Sequence, residues 1–205
     1  MVRWYLVRHG RTELNRDNRV QGQSQTSLDE EGFIQAAKLR DRLAGNTFTA
    51  AFCSDLTRAQ QTAQTILANH NVKLVTSPDL REIDYGRWSG MTISELTEKY
   101  TDEFARMMDI DNDFSPPGGE SVTQLLVRTG RFVTLAREQV PEEGNILVVC
   151  HGGSMRGVIV HLLGLPADKF WSLQVDLASL SIINAYPNRA VLILFNDVSH
   201  LRKTE

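Results

Sequence analysis

The feature that most constrains the fold is a run of apolar residues, Ile146-Leu147-Val148-Val149-Cys150, between polar residues and glycines. A strand that is apolar at every position has both faces covered, as in the centre of a parallel sheet between two layers of helices. Other short apolar runs are strand candidates at 4–7, 48–53, 73–76, 179–185 and 190–195. The sequence therefore predicts a layered α/β fold.

Helix signals fall between these strand candidates. Ser27-Leu28-Asp29-Glu30 has the pattern of a capping box that opens a helix to about Leu43, and Ser54-Asp55 are N-cap candidates for a helix over 57–69. Thr92-Ile93-Ser94-Glu95 is a second capping box, and further helices are predicted over 120–140 and 154–163. Alternating strands and helices predict a three-layer, doubly wound, mostly parallel sheet with helices on both faces.

The length of 205 residues fits a single domain over 1–205 and is short for two domains. The segment of about 81–120 is too long for a tight crossover and contains the Gly/Pro-rich stretch Phe114-Ser115-Pro116-Pro117-Gly118-Gly119. We expect this insertion to form a helical lid over the site. Sheets of this kind bind ligands at the carboxyl ends of their strands, so functional residues are expected directly after the strand candidates.

Charge and composition exclude several classes of partner. The formal net charge of −3 argues against a broad nucleic-acid surface, and no apolar stretch approaches the roughly 20 residues that span a membrane. The N-terminus lacks a signal-peptide pattern, and Cys53 and Cys150 are too few for a disulfide framework, so a cytoplasmic location is expected. The oligomeric state stays open between monomer and homodimer, because the run 190–195 could be a free sheet edge or pair between chains.

Arg8-His9-Gly10 directly follows the first strand candidate. Imidazole is a competent nucleophile, and guanidinium is the side chain best shaped to hold a phosphate in a fork. Glycine lets a substrate approach the backbone closely. The tripeptide therefore indicates phosphoryl transfer through a histidine.

Cationic residues follow two other strand candidates. Arg58 lies in the first turn of the helix after 48–53, and His151-Gly152-Gly153 forms the turn after the central run. A phosphate at this edge would meet Arg8, Arg58 and His151 together with helix N-terminal amides, and Gly152 is a candidate substrate contact. The nearby cations are also expected to lower the pKa of His9 and keep one ring nitrogen unprotonated.

Hydrolysis also needs a carboxylic acid that protonates the leaving oxygen and then activates water. Glu82, which follows the third strand candidate, is the first choice. Two alternatives remain open at this point: Asp84 as the acid, and a structural ion pair between Glu82 and Arg81.

Other positions have a structural interpretation beside a functional one. Glu120 is either a carboxylate favoured by a helix dipole or a residue that supports the substrate site. Gln21 and Gly22 are either a loop contact with the substrate or a plain turn. Trp88 either lines the substrate pocket or packs in the core. The remaining histidines show no metal-ligand spacing: His70, His161 and His200.

A second phosphatase chemistry is compatible with the turn after the central run. Cys150 and Arg156 have the spacing of the cysteine-dependent phosphatases, and a thiol at a helix N-terminus can have a lowered pKa. This interpretation leaves Arg8-His9-Gly10 and Glu82 unexplained. We therefore prefer histidine chemistry and expect Cys150 to be the last buried residue of its strand.

In order and spacing, LVRHGRTELN, SDLTRAQQTA, LREIDYGRWSG, PPGGES and VVCHGG resemble the histidine phosphatase superfamily, the phosphoglycerate-mutase-like proteins, over nearly the whole chain. The resemblance implies that His9 is the nucleophile that becomes phosphohistidine and that Glu82 is the general acid and base. It implies phosphoryl-binding roles for Arg8, Arg58, His151 and Asn15. It also implies that no metal or dissociable cofactor takes part.

The superfamily includes phosphatases, mutases and members that have lost catalytic residues. Cofactor-dependent mutases are typically longer after the position of Glu82, and this chain is compact there, which favours hydrolysis. The stretches 114–121, 163–166 and 170–171 are similar to the α-ribazole phosphatase and broad-specificity phosphatase branches. We therefore expect a small phosphorylated metabolite as the substrate. A phosphoglycerate mutase and a catalytically silent regulatory protein are the alternatives.

Overall fold

The computed structural model describes residues 1–109, 111–140 and 143–202, which contain a six-stranded sheet. The strands are β1 (Val2–Arg8), β2 (Ala50–Ser54), β3 (Leu74–Ser77), β4 (Gly144–Cys150), β5 (Leu180–Ala185) and β6 (Ala190–Asp197). Their order is β3-β2-β4-β1-β5-β6, and β5 runs antiparallel to both of its neighbours while the remaining pairs are parallel. The predicted mostly parallel sheet is confirmed.

Helices cover both faces of the sheet. They are α1 (Glu13–Arg16), α2 (Glu30–Leu43), α3 (Thr57–Ile66), α4 (Ile93–Lys99), α5 (Thr101–Asp109), α6 (Val122–Glu138) and α7 (Gly152–Leu163). Along β4, Ile146 and Val148 face α6 and α7, whereas Leu147 and Val149 face α2 and α3. The apolar run 146–150 of β4 is thus buried between two helical layers. Within the described residues, no helix combines the length and apolar character needed to cross a bilayer.

Helix starts or caps differ from the sequence-based expectation at four places, and α6 begins at Val122, two residues later than expected. Asp29, not Ser27, caps α2, and its Oδ1 accepts from the Gly32 amide at 2.8 Å. Leu56 precedes α3 without a side-chain cap, because the Asp55 carboxylate instead pairs with Arg81 of the loop after β3. The last helix, α7, begins at Gly152, two residues earlier than expected. The capping box at Thr92 is confirmed.

The insertion 81–120 contains α4 and α5, which pack around a small apolar core of their own. Trp88 is fully buried there, and its indole contacts the rings of Tyr100, Phe104 and Phe114. This core also includes residues of α6, so the insertion is attached to the main domain along that helix. Trp88 therefore packs in a core, in agreement with the structural interpretation of that residue.

Candidate active site

The pairing of β1 with β4 brings two histidines together at the carboxyl end of the sheet. Arg8 lies opposite Cys150 in the parallel register, so His9 and His151 are the next residues of the two strands. The His9 amide donates to the Cys150 carbonyl at 2.9 Å. Both side chains are buried, and their ring centroids are 5.0 Å apart.

His9 is held in the tautomer that a nucleophile needs. Its Nδ1 lies 2.7 Å from the Gly10 carbonyl oxygen, which assigns the proton to Nδ1 and leaves the lone pair on Nε2. Arg58 Nε donates to His9 Nε2 at 3.3 Å. Burial, and then the charges of Arg58 and Arg8, hold the pKa of His9 well below its ordinary value. The expected effect of the cations is present, but burial is the larger cause.

Arg58 connects His9 to the loop that follows α1. It is fully buried, and burial lowers its pKa to about 10. Its Nη1 donates to the Ser24 carbonyl at 2.7 Å and to Thr26 Oγ1 at 3.2 Å, and its Nη2 donates to the Gly22 carbonyl at 2.8 Å. One guanidinium therefore orients the loop and contacts the imidazole at the same time.

Arg8 and His151 present buried polar side-chain atoms that have no hydrogen-bond partner among the described residues, and in the neutral His151 ring one nitrogen is a donor and the other an acceptor. These atoms are Arg8 Nε and both ring nitrogens of His151, whereas Arg8 Nη1 donates to the Val175 carbonyl at 2.7 Å. Burial lowers the pKa of both groups, and that of His151 lies well below its ordinary value. A buried unpaired polar group costs about 1–3 kcal/mol. Phosphate oxygens are acceptors of the kind that would satisfy the donors among these atoms.

Glu82 approaches the same site from the loop after β3. Its Oε1 accepts from the Ile83 amide and from the Gly153 amide, both at 2.8 Å. The Gly153 amide belongs to the first turn of α7, where helix amides favour negative charge. The carboxylate thus lies between its own loop and the helix that follows His151.

The contacts of this loop bear on both alternatives left open by the sequence: an ion pair between Arg81 and Glu82, and Asp84 as the acid. Arg81 forms a bidentate pair with Asp55, with distances of 2.8 Å and 2.6 Å, so the suggested ion pair between Arg81 and Glu82 is wrong. Asp84 Oδ1 accepts from the Gly86 amide at 2.8 Å and stabilises a turn. Glu82, rather than Asp84, is the carboxylate that lines the cavity beside His9.

Two adjoining cavities open at this edge of the sheet. The smaller has a volume of about 130 Å³ and is lined by Arg8, His9, Asn15, Arg19, Val20, Gln21, Arg58, Glu82 and Tyr85. A cavity of about 410 Å³ shares four of these residues and extends along Asn18, Ile93, Asp176 and Leu177. A further cavity of about 430 Å³, around Trp4 and Tyr186, contains none of the candidate residues and lies at the opposite end of the strands.

Comparison with known proteins agrees with this geometry. The model of the histidine phosphatase superfamily (branch 1) matches residues 4–198. The chain belongs to this superfamily.

Individual members of the superfamily align with nearly the whole length of this chain. Phosphoserine phosphatase 1 of Hydrogenobacter thermophilus is 34% identical, over 98% of this chain and 95% of that protein. A protein of Yersinia pestis named "Probable phosphoglycerate mutase GpmB" is 35% identical, over 90% of this chain and 85% of its own. The crystal structure of the α-ribazole phosphatase from Shigella flexneri superposes with a TM-score of 0.85, at 31% identity, over 95% of this chain and 96% of the other.

The remaining candidates of this superfamily member take different positions around the cavity. Asn15 and Gln21 line it, although Gln21 Oε1 also accepts from Thr26 Oγ1 at 2.7 Å. Gly22 contributes its carbonyl to Arg58 rather than a surface to the cavity, and its φ of +52° favours glycine. Gly152 leaves room beside Arg8, since an added Cβ would lie 3.5 Å from Arg8 Cζ.

Several residues of the site were not predicted from the sequence. Arg19 and Tyr85 line the small cavity, and burial raises the pKa of the Tyr85 hydroxyl. Arg156, considered above only as part of a cysteine motif, lies beside Gly152 and above the Trp171 ring, 5.3 Å from its centroid. Two of these residues could have been found from the sequence because they lie close to predicted site residues: Tyr85 is three residues after Glu82, and Arg19 is two residues before Gln21.

The cysteine alternative conflicts with the environment of Cys150. The thiol is fully buried among apolar side chains of β4, α6 and α7, and burial raises its pKa to about 12. A nucleophilic thiolate needs the opposite shift. Within the part of the chain that the structure describes, no cluster of His, Cys, Asp and Glu could hold a metal ion.

Proposed function

We propose that this superfamily member is a phosphatase that hydrolyses small phosphomonoesters through a phosphohistidine on His9. The observation that carries the proposal is a neutral imidazole whose unprotonated Nε2 faces Arg58 in a cavity that also contains Glu82. Nucleophile, cationic donors and carboxyl group are thus within one small, buried space. Phosphoryl transfer depends mainly on such positioning and charge stabilisation.

In the first step the lone pair of His9 Nε2 attacks phosphorus, and the bond from phosphorus to the ester oxygen breaks. Glu82 in its protonated form gives its proton to the departing oxygen, so an alcohol leaves. Arg8, Arg58 and His151 are the proposed donors to the phosphoryl oxygens, whose charge they offset in the transition state. Asn15 is proposed to add a contact from the loop at α1.

In the second step water attacks the phosphohistidine. Glu82, now a carboxylate, accepts a proton from this water, the bond from nitrogen to phosphorus breaks, and inorganic phosphate leaves. The proton that Glu82 loses in the first step is therefore regained in the second. The enzyme returns to its starting state without a redox partner.

The cavity of about 410 Å³ is the proposed site for the alcohol part of the substrate. Ile93, at the start of α4, contributes to its wall, so the insertion 81–120 covers part of this space as the proposed lid. Arg19 and Asp176 give the wall charged groups of both signs. The names of relatives point to small organic phosphates, and a substrate screen begins with phosphoserine and α-ribazole 5′-phosphate.

The decisive experiment measures phosphate release from p-nitrophenyl phosphate by the wild type, His9→Ala and Cys150→Ser between about pH 5 and pH 8. We expect His9→Ala to abolish turnover and Cys150→Ser to retain it. Rapid acid-free quenching with ³²P-labelled substrate should trap a base-stable, acid-labile phosphoenzyme that is absent from His9→Ala. Loss of turnover in Cys150→Ser alone would replace the histidine mechanism by a thiolate mechanism.

A phosphoglycerate mutase is the second candidate, favoured by the relative of that name at 35% identity. A mutase would return the phosphoryl group of His9 to a bound phosphoglycerate instead of to water. Incubation with 3-phosphoglycerate and 2,3-bisphosphoglycerate separates the two: net formation of 2-phosphoglycerate faster than phosphate release would support the mutase. A folded wild type inactive in both assays would support the silent, regulatory alternative.

A further inference from the structure

The side chain with the most extensive contacts to the Glu82 loop lies outside the cavity, on α6. Arg128 Nη1 donates to the carbonyls of Asp79 and Arg81 at 2.8 Å and 2.7 Å, and Arg128 Nη2 donates to the Glu82 carbonyl at 3.0 Å. A single planar guanidinium therefore holds the main chain on both sides of the position that carries the carboxylate. A lysine could not supply this fork of donors.

Glu120 holds Arg128 in this orientation. Its Oε1 accepts from Arg128 Nε at 2.6 Å and its Oε2 accepts from Nη2 at 2.8 Å, which makes a bidentate pair. Glu120 Oε2 also accepts from the Asp84 amide at 3.2 Å, and the Glu120 amide donates to the Asp84 carbonyl at 2.8 Å. The two side chains are only 12% and 14% exposed, so solvent screens the pair weakly.

The carboxylate of Glu82 is fixed from the opposite side by α7. Its Oε1 is held by the Gly153 and Ile83 amides, whereas Oε2 accepts no hydrogen bond from a described residue. An added Cβ at Gly153 would overlap Oε1. This arrangement leaves Oε2 as the oxygen that can exchange a proton, provided that the main chain of Glu82 stays in place.

We propose that Arg128 and Glu120 are the positioning pair that keeps the Glu82 carboxyl group in reach of the leaving oxygen. The inference rests on the proposed function, in which Glu82 is the general acid. Neither side chain lines the cavity, so both act through the Glu82 loop. Loss of the pair is expected to impair proton transfer to the leaving group while phosphate binding and attack by His9 persist.

The test compares kcat/KM for two substrates: an alkyl phosphate, whose alkoxide is a poor leaving group, and p-nitrophenyl phosphate, whose phenolate leaves without a proton. General acid catalysis contributes about 10²–10⁴-fold. For Arg128→Ala we therefore expect an approximately 100-fold fall for the alkyl phosphate and less than about fivefold for p-nitrophenyl phosphate. Glu82→Gln should show the same selective loss, and combining it with Arg128→Ala should add little further.

Arg131→Ala is the matched control. Arg131 lies one turn further along α6 and pairs, exposed, with the carboxylate of Asp79, but contacts no carbonyl near Glu82. Arg131→Ala should leave kcat/KM for both substrates within about twofold of the wild-type value, as expected for an exposed ion pair. Arg128→Lys serves as a second variant that can keep the charge pair with Glu120 but loses the fork, and it should show the same selective loss in weaker form.

A second readout does not depend on turnover. The amide resonance of Gly153 in a ¹⁵N–¹H NMR spectrum reports its hydrogen bond to Glu82, and it should move in Arg128→Ala and Arg128→Lys but not in Arg131→Ala. Equal losses for both substrates, or an unmoved Gly153 resonance, would overturn the positioning role. Turnover that survives His9→Ala would instead contradict the proposed function, and the NMR comparison would still decide the role of Arg128.

Discussion

Arg58 binds two partners at the same time with different nitrogens of its guanidinium: Nε faces the imidazole of His9, and Nη1 and Nη2 donate to carbonyls of the 22–26 loop. Lysine keeps the charge but cannot serve both partners, since its ammonium is a compact point charge. We expect Arg58→Lys to lower kcat/KM for p-nitrophenyl phosphate by about 100-fold, the size seen when one preorganised donor is lost. Arg40→Lys, at an exposed pair with Asp41, is the control and should retain full activity.

Cys150 gives a prediction that separates stability from activity. Serine at this position places a hydroxyl in an apolar, fully buried environment, which costs about 1–3 kcal/mol of unfolding free energy. The catalytic groups do not include the thiol, so we expect Cys150→Ser to retain kcat/KM at 25 °C while its urea midpoint falls. A folded but inactive Cys150→Ser would contradict the assignment of this cysteine to the core.

At the scale of elements, the loop after β1 and the first turn of α2 touch through their backbones. Gly10 packs against the Gly32 carbonyl, and an added Cβ at Gly32 would overlap the carbonyl of Arg11. Gly32→Ala should therefore push α2 away from the His9 loop, at a cost of about 1–3 kcal/mol in unfolding free energy. It should also lower kcat/KM by displacing His9.

Gly45→Ala is the matched control for this prediction, because an added Cβ at Gly45 meets nothing within 4 Å. Denaturant unfolding of both variants gives the comparison. Equal stability of Gly32→Ala and Gly45→Ala would show that the backbone contact at Gly32 is easily relieved.

The elements themselves were predictable because their signals are local. The all-apolar run of β4 marks a strand buried on both faces, and the glycine after α7 marks its end with a φ of +64°. The start of α2 was not predictable in detail, since Ser27 and Asp29 both suit an N-cap. The choice between them depends on Arg11, whose guanidinium pairs with Asp29 at 2.8 Å and which lies distant in sequence.

The residues of the candidate site also fall into two groups, those that the sequence could locate and those that it could not. Residues that directly follow strands, such as His9 and His151, could be located from the sequence because the carboxyl ends of parallel strands share one edge. Arg128 could not, because its contacts cross from α6 to the loop after β3 and follow no helical or strand spacing. Glu120 and Arg128 are eight residues apart, beyond the reach of the usual helical pair rules.

For the whole molecule, the buried histidines predict how stability depends on pH. Burial holds the pKa of His9 and of His151 well below 6.5 in the folded protein, whereas the unfolded chain binds these protons near 6.5. Above that value neither state is protonated. Below it the unfolded state gains protons first, so the free energy of unfolding falls as pH falls, by about 1.4 kcal/mol per pH unit for each histidine.

Urea unfolding at about pH 7.5, 6.5 and 5.5, in a buffer without phosphate, measures this dependence. His151→Gln removes one of the two groups and should show a shallower decline over the same range. A stability that stays constant from about pH 6.5 to 5.5 would mean that the folded protein takes up these protons as readily as the unfolded chain.

The distance between the two imidazoles is set by main-chain pairing, since His9 and His151 extend the hydrogen-bonded register of β1 and β4. Exchanges among the apolar side chains of these strands change packing energy but leave that register intact. Apolar substitutions can therefore accumulate in the interior of the sheet during evolution without changing the distance between His9 and His151. A destabilising exchange in these strands is therefore expected to act mainly by lowering the amount of folded protein.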